Sequence, residues 1–151
     1  MEQSALIALL AQHFPEIKAE EGRQWVQVTV TTEEWRQFAL ALRNNAALSF
    51  DYLFCLTCVD IMNSLEMVYH FESFSSGNVV VVKVALNREN PVIHTVSDIW
   101  RTAEFHEREV YEMFGVHFAD HPDLRKLILP DDWQGYPMRK DYEDPVNMIK
   151  L

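Results

Sequence analysis

Apolar side chains recur at helical spacing in three segments of the chain, and this pattern predicts three amphipathic helices. The first helix covers residues 4–13. The second covers residues 32–44 and follows a capping-box pair formed by Thr31 and Glu34. The third is expected over residues 97–114, with its N-cap at the first of these positions. Each helix has one apolar face that must be buried against another element.

The segments around and between these helices carry the patterns of four β-strands. Residues 25–31 and 65–71 alternate apolar with polar side chains, as strands with one buried face do. Residues 52–59 are almost continuously apolar, which predicts a fully buried strand. A turn at 75–78 leads into residues 79–86, whose β-branched side chains predict a central strand. The order αβαβββα predicts an α+β fold of two layers, with helices packed on a small mixed or antiparallel sheet.

The pattern changes at Gly115, which we take as the boundary between an α+β domain (residues 1–114) and an extended C-terminal arm (residues 115–151). Four of the six prolines lie in this arm, seven or eight residues apart, which excludes helices of normal length there: Pro122, Pro130, Pro137 and Pro145. The arm also carries side chains that a disordered tail would lack: Phe118, Leu124, Leu127, Ile128, Leu129, Trp133, Tyr136 and Met138. We therefore expect the C-terminal arm to order against a partner protein.

The composition is that of a folded, acidic protein. Hydrophobic residues make up 48% of the 151 residues, and 13 basic against 23 acidic residues give a net charge of -10. This charge repels phosphate backbones and anionic lipid headgroups, so we expect neither nucleic-acid binding nor direct lipid binding. The N-terminus has no basic segment followed by a long apolar run, so we expect no signal peptide and no membrane span.

The two cysteines, Cys55 and Cys58, have a spacing that also occurs in redox and metal sites. Here both lie inside the apolar run at 52–59, whereas redox pairs sit at exposed turns. A zinc or iron–sulfur site would need further soft ligands, and the sequence has no other cysteine. We interpret both as buried small side chains.

The charged segment 104–112 could supply a general acid, but ion pairing explains it better. Glu104 and Arg108, and again Arg108 and Glu112, are four residues apart, a spacing at which opposite charges pair on a helix surface. No nucleophile or glycine-rich phosphate loop accompanies these carboxylates. We therefore predict no catalytic residue in this protein.

A second candidate for chemistry comprises His117 and His121 with Asp120 and Asp123, residue types that bind metal ions. Two histidines four residues apart come together only on a helix, and Pro122 disfavours a helix here. We favour turn residues or interface hydrogen bonds and predict that the protein binds no metal.

Two basic pairs, Arg125-Lys126 and Arg139-Lys140, stand in the otherwise acidic arm. Two explanations fit these pairs equally well: exposure to solvent, or contact with carboxylates across an interface. Both interpretations stay open from the sequence.

Three segments in the second half of the sequence are similar to one known family: Glu107–Gly115 (EREVYEMFG), His121–Trp133 (HPDLRKLILPDDW) and Arg139–Tyr142 (RKDY). Together they resemble the thirty-kilodalton subunit family of respiratory NADH:quinone oxidoreductase, that is, of complex I. A match of this combined length is far more specific than a single short motif.

The resemblance implies a hydrophilic subunit of the peripheral part of a proton-translocating complex, supporting electron transfer from NADH to quinone. In this family FMN and the Fe-S clusters are bound by partner subunits, so no cofactor is expected in this protein. The implied partners are the hydrogenase-like subunit that forms the quinone site and other peripheral subunits. The implied location is the cytoplasmic side of the bacterial inner membrane.

The resemblance also implies which residues form the partner interface: Glu107, Arg108, Glu109, Phe114, Gly115, His121, Pro122, Asp123, Leu124, Arg125, Leu129, Pro130, Trp133, Arg139, Lys140, Asp141 and Tyr142. The sequence departs from the family pattern at Glu112, where aspartate is usual, at Tyr136, where histidine is common, and at Glu143, where proline often follows Asp-Tyr. These departures leave the resemblance intact and bear only on the docking surface.

Two other functions compete with this one. The first is the equivalent subunit of a membrane-bound hydrogenase or of a ferredoxin- or deazaflavin-dependent dehydrogenase, which the resemblance also covers. The second is a standalone metal-dependent hydrolase that would use His117, His121 and the nearby aspartates. Co-purifying subunits separate the first from the complex I assignment, and metal analysis tests the second.

Overall fold

The computed structural model describes residues 1–149; Lys150 and Leu151, the end of the predicted C-terminal arm, lie outside the described residues. The helices of this part are α1 (Gln3–His13), α2 (Thr32–Asn44) and α3 (Ala103–Phe114). The strands are β1 (Lys18–Glu20), β2 (Val26–Val30), β3 (Tyr52–Asp60), β4 (Ser64–Glu72), β5 (Val79–Asn87), β6 (Val92–His94) and β7 (His117–Ala119).

Five strands form one mixed sheet in the order β1-β2-β5-β4-β3. The β2–β5 pair is parallel, and the other neighbours are antiparallel. A second, two-stranded sheet pairs β6 with β7 in parallel. The predicted α+β fold with helices on a small mixed sheet is confirmed, and β5 lies at the centre of the sheet as its β-branched sequence predicts.

The core lies between the helices and one face of the five-stranded sheet. Val28, Val82, Tyr69 and Leu56 follow one another across four neighbouring strands, and all four are buried. Trp35 of α2 packs on Tyr69 with ring centroids 4.3 Å apart. Burying each such side chain stabilises the fold by about 1.5–3 kcal/mol. The alternation read in the sequence therefore identifies the buried face correctly.

Two local signals in the sequence also appear as predicted. The Thr31 hydroxyl accepts the Glu34 backbone N–H at 3.3 Å, and the Glu34 carboxylate accepts the Thr31 backbone N–H at 3.2 Å. Gly115 follows the last turn of α3 with φ of 79°, a conformation that glycine adopts at little cost. Both signals act over a few residues, which is why the sequence alone reveals them.

The predicted start of the third helix is wrong, because α3 begins at Ala103 and not at Ser97. The intervening residues form turns that are tied to the sheet. Trp100 donates its indole N–H to the Phe50 carbonyl at 3.0 Å, and Thr102 donates its hydroxyl to the Leu53 carbonyl at 2.7 Å. These long-range bonds hold the segment in a non-helical path.

The prediction of a fully buried strand over residues 52–59 is also wrong. β3 is an edge strand that buries Leu53, Leu56 and Cys58 and exposes Thr57 and Val59. An edge strand covered on one face buries alternate residues, whatever the hydrophobicity of the others.

Three strands of three residues each, β1, β6 and β7, are absent from the sequence prediction. β7 lies beyond Gly115 and pairs Phe118 with Ile93 of β6. Phe118 of β7 and Val116, just before it, are buried in the core. The division of the chain at Gly115 stays a prediction, but the segment that follows Gly115 begins as part of the folded core. No helix within residues 1–149 combines the length and the apolar character needed to cross a membrane.

Candidate functional site

Helix α3 buries three charged residues, Glu107, Arg108 and Glu112, on the face that meets residues 121–141. The sequence prediction of surface ion pairs between Arg108 and its neighbours four residues away is wrong. Arg108 and Glu112 instead bind main-chain groups of residues 125–129. Glu107 binds Thr95 and Val96, in the loop before α3. A buried charge is stable only where such partners satisfy it, so these contacts fix the paths of both segments.

Arg108 binds two consecutive carbonyl groups. Its Nε lies 3.0 Å from the Arg125 oxygen, and its Nη2 lies 3.0 Å from the Lys126 oxygen. Its Nη1 is 3.9 Å from a carboxylate oxygen of Asp123, and its guanidinium carbon lies 5.5 Å from the centre of the Phe105 ring. The rigid fork of an arginine suits two fixed acceptors, and lysine could not reproduce this arrangement.

Glu112 binds three consecutive amides one helical turn further on. Its carboxylate accepts the backbone N–H groups of Leu127, Ile128 and Leu129 at 2.9–3.1 Å. Successive N–H groups that converge on one anion form a concave nest, here filled by a side chain of the same protein. Arg108 and Glu112 thus hold five adjacent main-chain groups between residues 125 and 129.

Glu107 fastens the loop between β6 and α3. Its carboxylate accepts the Thr95 hydroxyl at 2.5 Å and the Val96 backbone N–H at 2.8 Å. Burial raises the pKa of Glu107 to about 7, although both hydrogen bonds favour the charged form. The group therefore gains or loses its proton near neutral pH.

The His121 side chain is completely buried beside Glu107, with Nε2 3.6 Å from the nearer carboxylate oxygen. Nε2 also lies 3.0 Å from the Glu104 carbonyl oxygen, and Nδ1 lies 3.0 Å from the Asp123 backbone nitrogen. This pattern fits the neutral tautomer that donates from Nε2 and accepts at Nδ1. His121 therefore serves as a link between α3 and the start of the segment that Arg108 binds.

The later part of the arm returns to the end of α3 and to the β3–β4 turn. Arg139 donates from Nε to the Phe114 carbonyl at 2.7 Å, and the Lys140 backbone N–H donates to Asp60 at 2.8 Å. Asp60 forms an ion pair with Arg88, which also binds Asp141 at 2.9 Å. The Arg88 guanidinium lowers the pKa of the Asp60 carboxyl to about 2.

Gly115 allows the arm to pass close to α3. A Cβ atom at this position would lie 2.6 Å from the Tyr136 ring, and the Tyr136 ring also lies 5.1 Å from the Arg139 guanidinium. Position 115 thus combines a left-handed backbone with a close contact, and both favour glycine.

While the backbone of the arm is held, several of its apolar side chains point to solvent. Leu127 is 40% exposed, Ile128 65%, Tyr136 43% and Met138 58%. Leu124, by contrast, packs against the core. Helix α3 thus holds the main chain of the arm on one side, and large apolar side chains are exposed on the other side. These are features of a preorganised binding surface.

The structure divides the predicted interface residues by depth. Glu107, Arg108 and Phe114 are buried beneath the arm. Those on the surface are Glu109, Pro122, Arg125, Pro130, Lys140 and Asp141. Half-buried positions hold Gly115, His121, Asp123, Leu124, Leu129, Trp133, Arg139 and Tyr142. The assignment of these residues to an interface stays a prediction. Arg108 and Phe114 would contribute to an interface by holding the arm, and Glu107 by holding the loop at residues 95–96.

Sequence reasoning missed the residues that do most to shape this surface. It left Asp60, Arg88 and Glu112 out of the site, and it treated Leu127 and Ile128 only as apolar residues in need of cover. The signal for Glu112 was its place within the EREVYEMFG segment. No local pattern marks Asp60 and Arg88, because their partners are far away in sequence.

The basic pairs are largely used inside the protein. Lys126 donates from Nζ to the carbonyls of Asp131 and Trp133 at 3.0 and 2.9 Å and thereby closes a loop within the arm. Arg125 is exposed and pairs with Asp123 at 2.9 Å. Arg139 binds the domain through its guanidinium, whereas the contact of Lys140 with Asp60 is made by the backbone N–H and not by the basic side chain. Contact within the protein is an outcome that neither interpretation from the sequence included.

The candidate metal ligands are separated. The His117 residue is exposed on β7, while the His121 side chain is buried against α3. Within residues 1–149, no three His, Cys, Asp or Glu side chains are arranged to hold a metal ion. Cys58 is buried, Cys55 is half-buried, and both thiols are free.

Similarity to known proteins points to one consistent family. The chain is 43% identical over 113 residues to the C subunit of NADH-quinone oxidoreductase from Chloroherpeton thalassium, which covers 74% of this chain and 47% of that protein. It is 44% identical over 115 residues to the C subunit from Chlorobium phaeobacteroides, covering 74% and 69%. The C/D subunit from Phocaeicola vulgatus is 42% identical over 127 residues, covering 83% and 24%. The chain thus spans about half the length of the first relative and a quarter of the third.

Two solved structures have the same fold. A trypsin-resistant fragment of Nqo5 matches with a TM-score of 0.69 and 26% identity, over 82% of this chain and all of that one. A component of the archaeal membrane-bound sulfane sulfur reductase matches with a TM-score of 0.81 and 24% identity, over 93% and 85%. Residues 28–146 match the family model described as respiratory-chain NADH dehydrogenase, 30 Kd subunit. The chain therefore belongs to the 30 kDa subunit family of respiratory-chain NADH dehydrogenase.

Proposed function

We propose that this chain is a non-catalytic, hydrophilic subunit of the peripheral part of a proton-translocating NADH:quinone oxidoreductase. Its membership of the 30 kDa subunit family supports this proposal, as do relatives named as C subunits of NADH-quinone oxidoreductase at 43–44% identity. Its role is structural. It positions a neighbouring subunit, while electrons pass from NADH through FMN and Fe-S clusters to quinone in partner subunits.

The observation that carries this proposal is the way α3 holds the arm. Arg108 and Glu112 form hydrogen bonds with the main chain of residues 125–129 on the side that faces α3. The side chains of Leu127 and Ile128 remain exposed to solvent. Ordering a flexible segment on binding costs conformational entropy, and a segment that is already ordered avoids most of that cost. Exposed apolar side chains on a rigid backbone are well suited to act as binding hot spots.

The partner in this proposal is the hydrogenase-like subunit that forms the quinone site, called the quinone-site subunit below. The relative from Phocaeicola vulgatus is named as a C/D subunit, and its similarity to this chain covers 24% of its length. A polypeptide that joins two such units keeps them at high effective concentration, which fits a direct contact between them. In this proposal the chain also contacts other peripheral subunits. The complex holds the chain on the cytoplasmic side of the membrane.

No flavin or Fe-S cluster is bound by this chain in the proposal. Cys55 and Cys58 are its only cysteines, and Fe-S clusters are held by up to four cysteine thiolates. Burial raises the pKa of the Cys58 thiol to about 12, so the thiolate needed for a cluster ligand is strongly disfavoured. The redox groups therefore belong to partner subunits.

Co-purification tests this function. The protein is given an affinity tag in its native host, and the recovered proteins are identified by mass spectrometry. The expected set includes the quinone-site subunit and the subunits that bind NADH and FMN. Recovery with hydrogenase subunits and without NADH-binding subunits would assign the protein to a related complex. The isolated protein should be colourless and should not oxidise NADH, and stoichiometric Fe-S absorbance would contradict the proposal.

A further inference from the structure

A buried chain of three polar side chains lies between α3 and the loop before it. The Thr95 hydroxyl oxygen is 2.5 Å from Oε2 of Glu107 and 2.8 Å from the Ser97 hydroxyl oxygen. It also accepts the Ser97 backbone N–H at 3.1 Å. Glu107 is 0% exposed, Thr95 2% and Ser97 4%. Because water hardly reaches these groups, they depend on one another for hydrogen bonds.

A proton that enters this cluster binds to Glu107 and not to the neighbouring histidine. Within residues 1–149, His121 is the basic residue that approaches the carboxylate, with Nε2 3.6 Å away. Its ring cannot take a second proton without losing a hydrogen bond, because Nδ1 already accepts the Asp123 backbone N–H at 3.0 Å. Burial, and then the like charge of Asp98, raise the pKa of Glu107 to about 7.

Among the described residues, the other charged groups near Glu107 are engaged with other partners. Arg108, its neighbour on α3, binds two carbonyls of the arm and lies 3.9 Å from Asp123. Glu104, one turn earlier, contacts His121 through its main-chain carbonyl. The remaining titratable groups on the elements packed here are paired or buried: Asp98 with Arg36, His94 with Asp120, and Tyr69. The negative charge of Glu107 is therefore removed by a proton and not by a cation.

Both protonation states of Glu107 can be satisfied by the same chain of hydrogen bonds. When the carboxylate is charged, Thr95 donates its hydroxyl proton to Glu107, and Ser97 donates to Thr95. When the carboxyl group is neutral, Glu107 donates to Thr95, and Thr95 donates to Ser97. A hydroxyl group donates one hydrogen bond and accepts two, so the Thr95 oxygen accepts the Ser97 backbone N–H in either state. Only the direction of the chain changes.

We propose that Glu107, Thr95 and Ser97 form a site that binds one proton from solvent and reverses the direction of its hydrogen bonds as it does so. The proton goes to Oε2 of Glu107, while Oε1 continues to accept the Val96 backbone N–H at 2.8 Å. Thr95 and Ser97 are positioning residues. The bound proton removes a negative charge beside His121, where the arm meets α3. This site goes beyond the proposed function and does not depend on it, because one chain forms it alone.

Carbon NMR of the side-chain carboxyl groups, in the isolated protein labelled with carbon-13, tests proton binding. The Glu107 signal is the one that disappears in Glu107→Gln, and through-bond correlation to its own backbone assigns it if that variant does not fold. This signal should titrate with a midpoint near pH 7, against an ordinary value of 4.5. A midpoint at the ordinary value would overturn the proposal, because the site would then hold no proton at neutral pH.

Two hydroxyl deletions test the reversal, since they should shift this midpoint in opposite directions. Ser97→Ala removes the acceptor that Thr95 needs when Glu107 is neutral, so proton affinity should fall by about tenfold. Thr95→Val removes a charge-assisted hydrogen bond from the carboxylate, so proton affinity should rise by about tenfold. Thr57→Val deletes an exposed hydroxyl on β3 and should leave the midpoint unchanged.

A purely structural role for the two hydroxyls predicts a different result. Water that enters a loosened cluster would lower proton affinity in both variants, and this outcome would overturn the reversal. An unchanged or raised midpoint in S97A would overturn it as well. If Thr95→Val does not fold, Ser97→Thr takes its place, because it keeps the hydroxyl and should titrate as the native protein does. Equal shifts in S97A and S97T would then contradict the proposal.

Discussion

The Glu112 carboxylate lies 2.9 Å from the backbone nitrogen of Ile128, whose side chain is 65% exposed. A buried charge on α3 thus fixes the main chain at a residue that presents an apolar group to solvent. Stability of the arm and presentation of its surface are therefore linked through one carboxylate.

Glu112→Gln should loosen residues 127–129 without unfolding the domain. Glutamine retains the size of the side chain but loses the charge that attracts three N–H groups, and we expect a cost of about 2 kcal/mol. Amide exchange at 127–129 should accelerate by at least about tenfold. Glu109→Gln on the exposed face of the same helix is the matched control and should change nothing. Unchanged exchange in E112Q would show that the carboxylate does not hold the arm.

Gly115→Ala and Gly77→Ala separate backbone strain from close packing. Both glycines have positive φ, 79° and 69°, but only at position 115 would the new Cβ meet another group, the Tyr136 ring. G77A should cost about 1 kcal/mol from strain alone, and G115A about 2 kcal/mol or more. Urea unfolding measures both. Adding Tyr136→Ala should remove most of the difference, and equal costs for the two single variants would refute the close contact.

Glu107 should make folding stability depend on pH between about 4.5 and 7. Its pKa is about 7 in the folded protein, against an ordinary 4.5, because burial disfavours the carboxylate. The folded state holds this proton more tightly than the unfolded chain, so stability falls as pH rises through this window and levels off above it. The difference is about 3 kcal/mol. Unfolding free energies at pH 5 and pH 8 should differ less in Glu107→Gln, and identical slopes would contradict the assignment.

At acid pH, Asp60 should make folding stability rise with pH, which is opposite to the effect of Glu107. Arg88 lowers its pKa from 3.8 to about 2, so the ion pair stabilises the fold above pH 3.8 and loses this effect as pH falls through 2. Asp60→Asn should lower the urea midpoint and reduce acid sensitivity in this range. Asp141→Asn removes the other, 65% exposed partner of Arg88 and should have a small effect. A larger loss from D141N than from D60N would reverse this ranking.

The sequence predicted well those features that arise from neighbouring residues. The Thr31–Glu34 capping box, the buried valines of β2 and the helix end at Gly115 all depend on spacings of a few positions. The segment similarity also led to the family, which the family model and the relatives confirm.

The features that the sequence did not reveal depend on distant contacts. Arg108 and Glu112 have i, i+4 spacing suited to surface pairing, yet their partners lie 15 to 18 residues away. The start of α3 is delayed because Trp100 and Thr102 bind carbonyls about 50 residues earlier in the chain. β7 was assigned to the arm because a strand of three residues has no periodicity of its own, and its partner β6 was equally short. A truncation that removes the arm should therefore begin after β7, since Val116 and Phe118 belong to the core.

The central claim is that the exposed apolar surface of the arm docks the protein in its complex, and the recovery of Ile128→Glu tests it most directly. Ile128 is 65% exposed, so the charge should leave the urea midpoint unchanged, and Val92→Glu at a 41% exposed position controls for added charge. The measured quantity is the amount of quinone-site subunit that co-purifies with the tagged protein. We predict that I128E recovers at most about a tenth of the native amount while V92E recovers it fully. Native recovery with I128E would contradict docking through this surface.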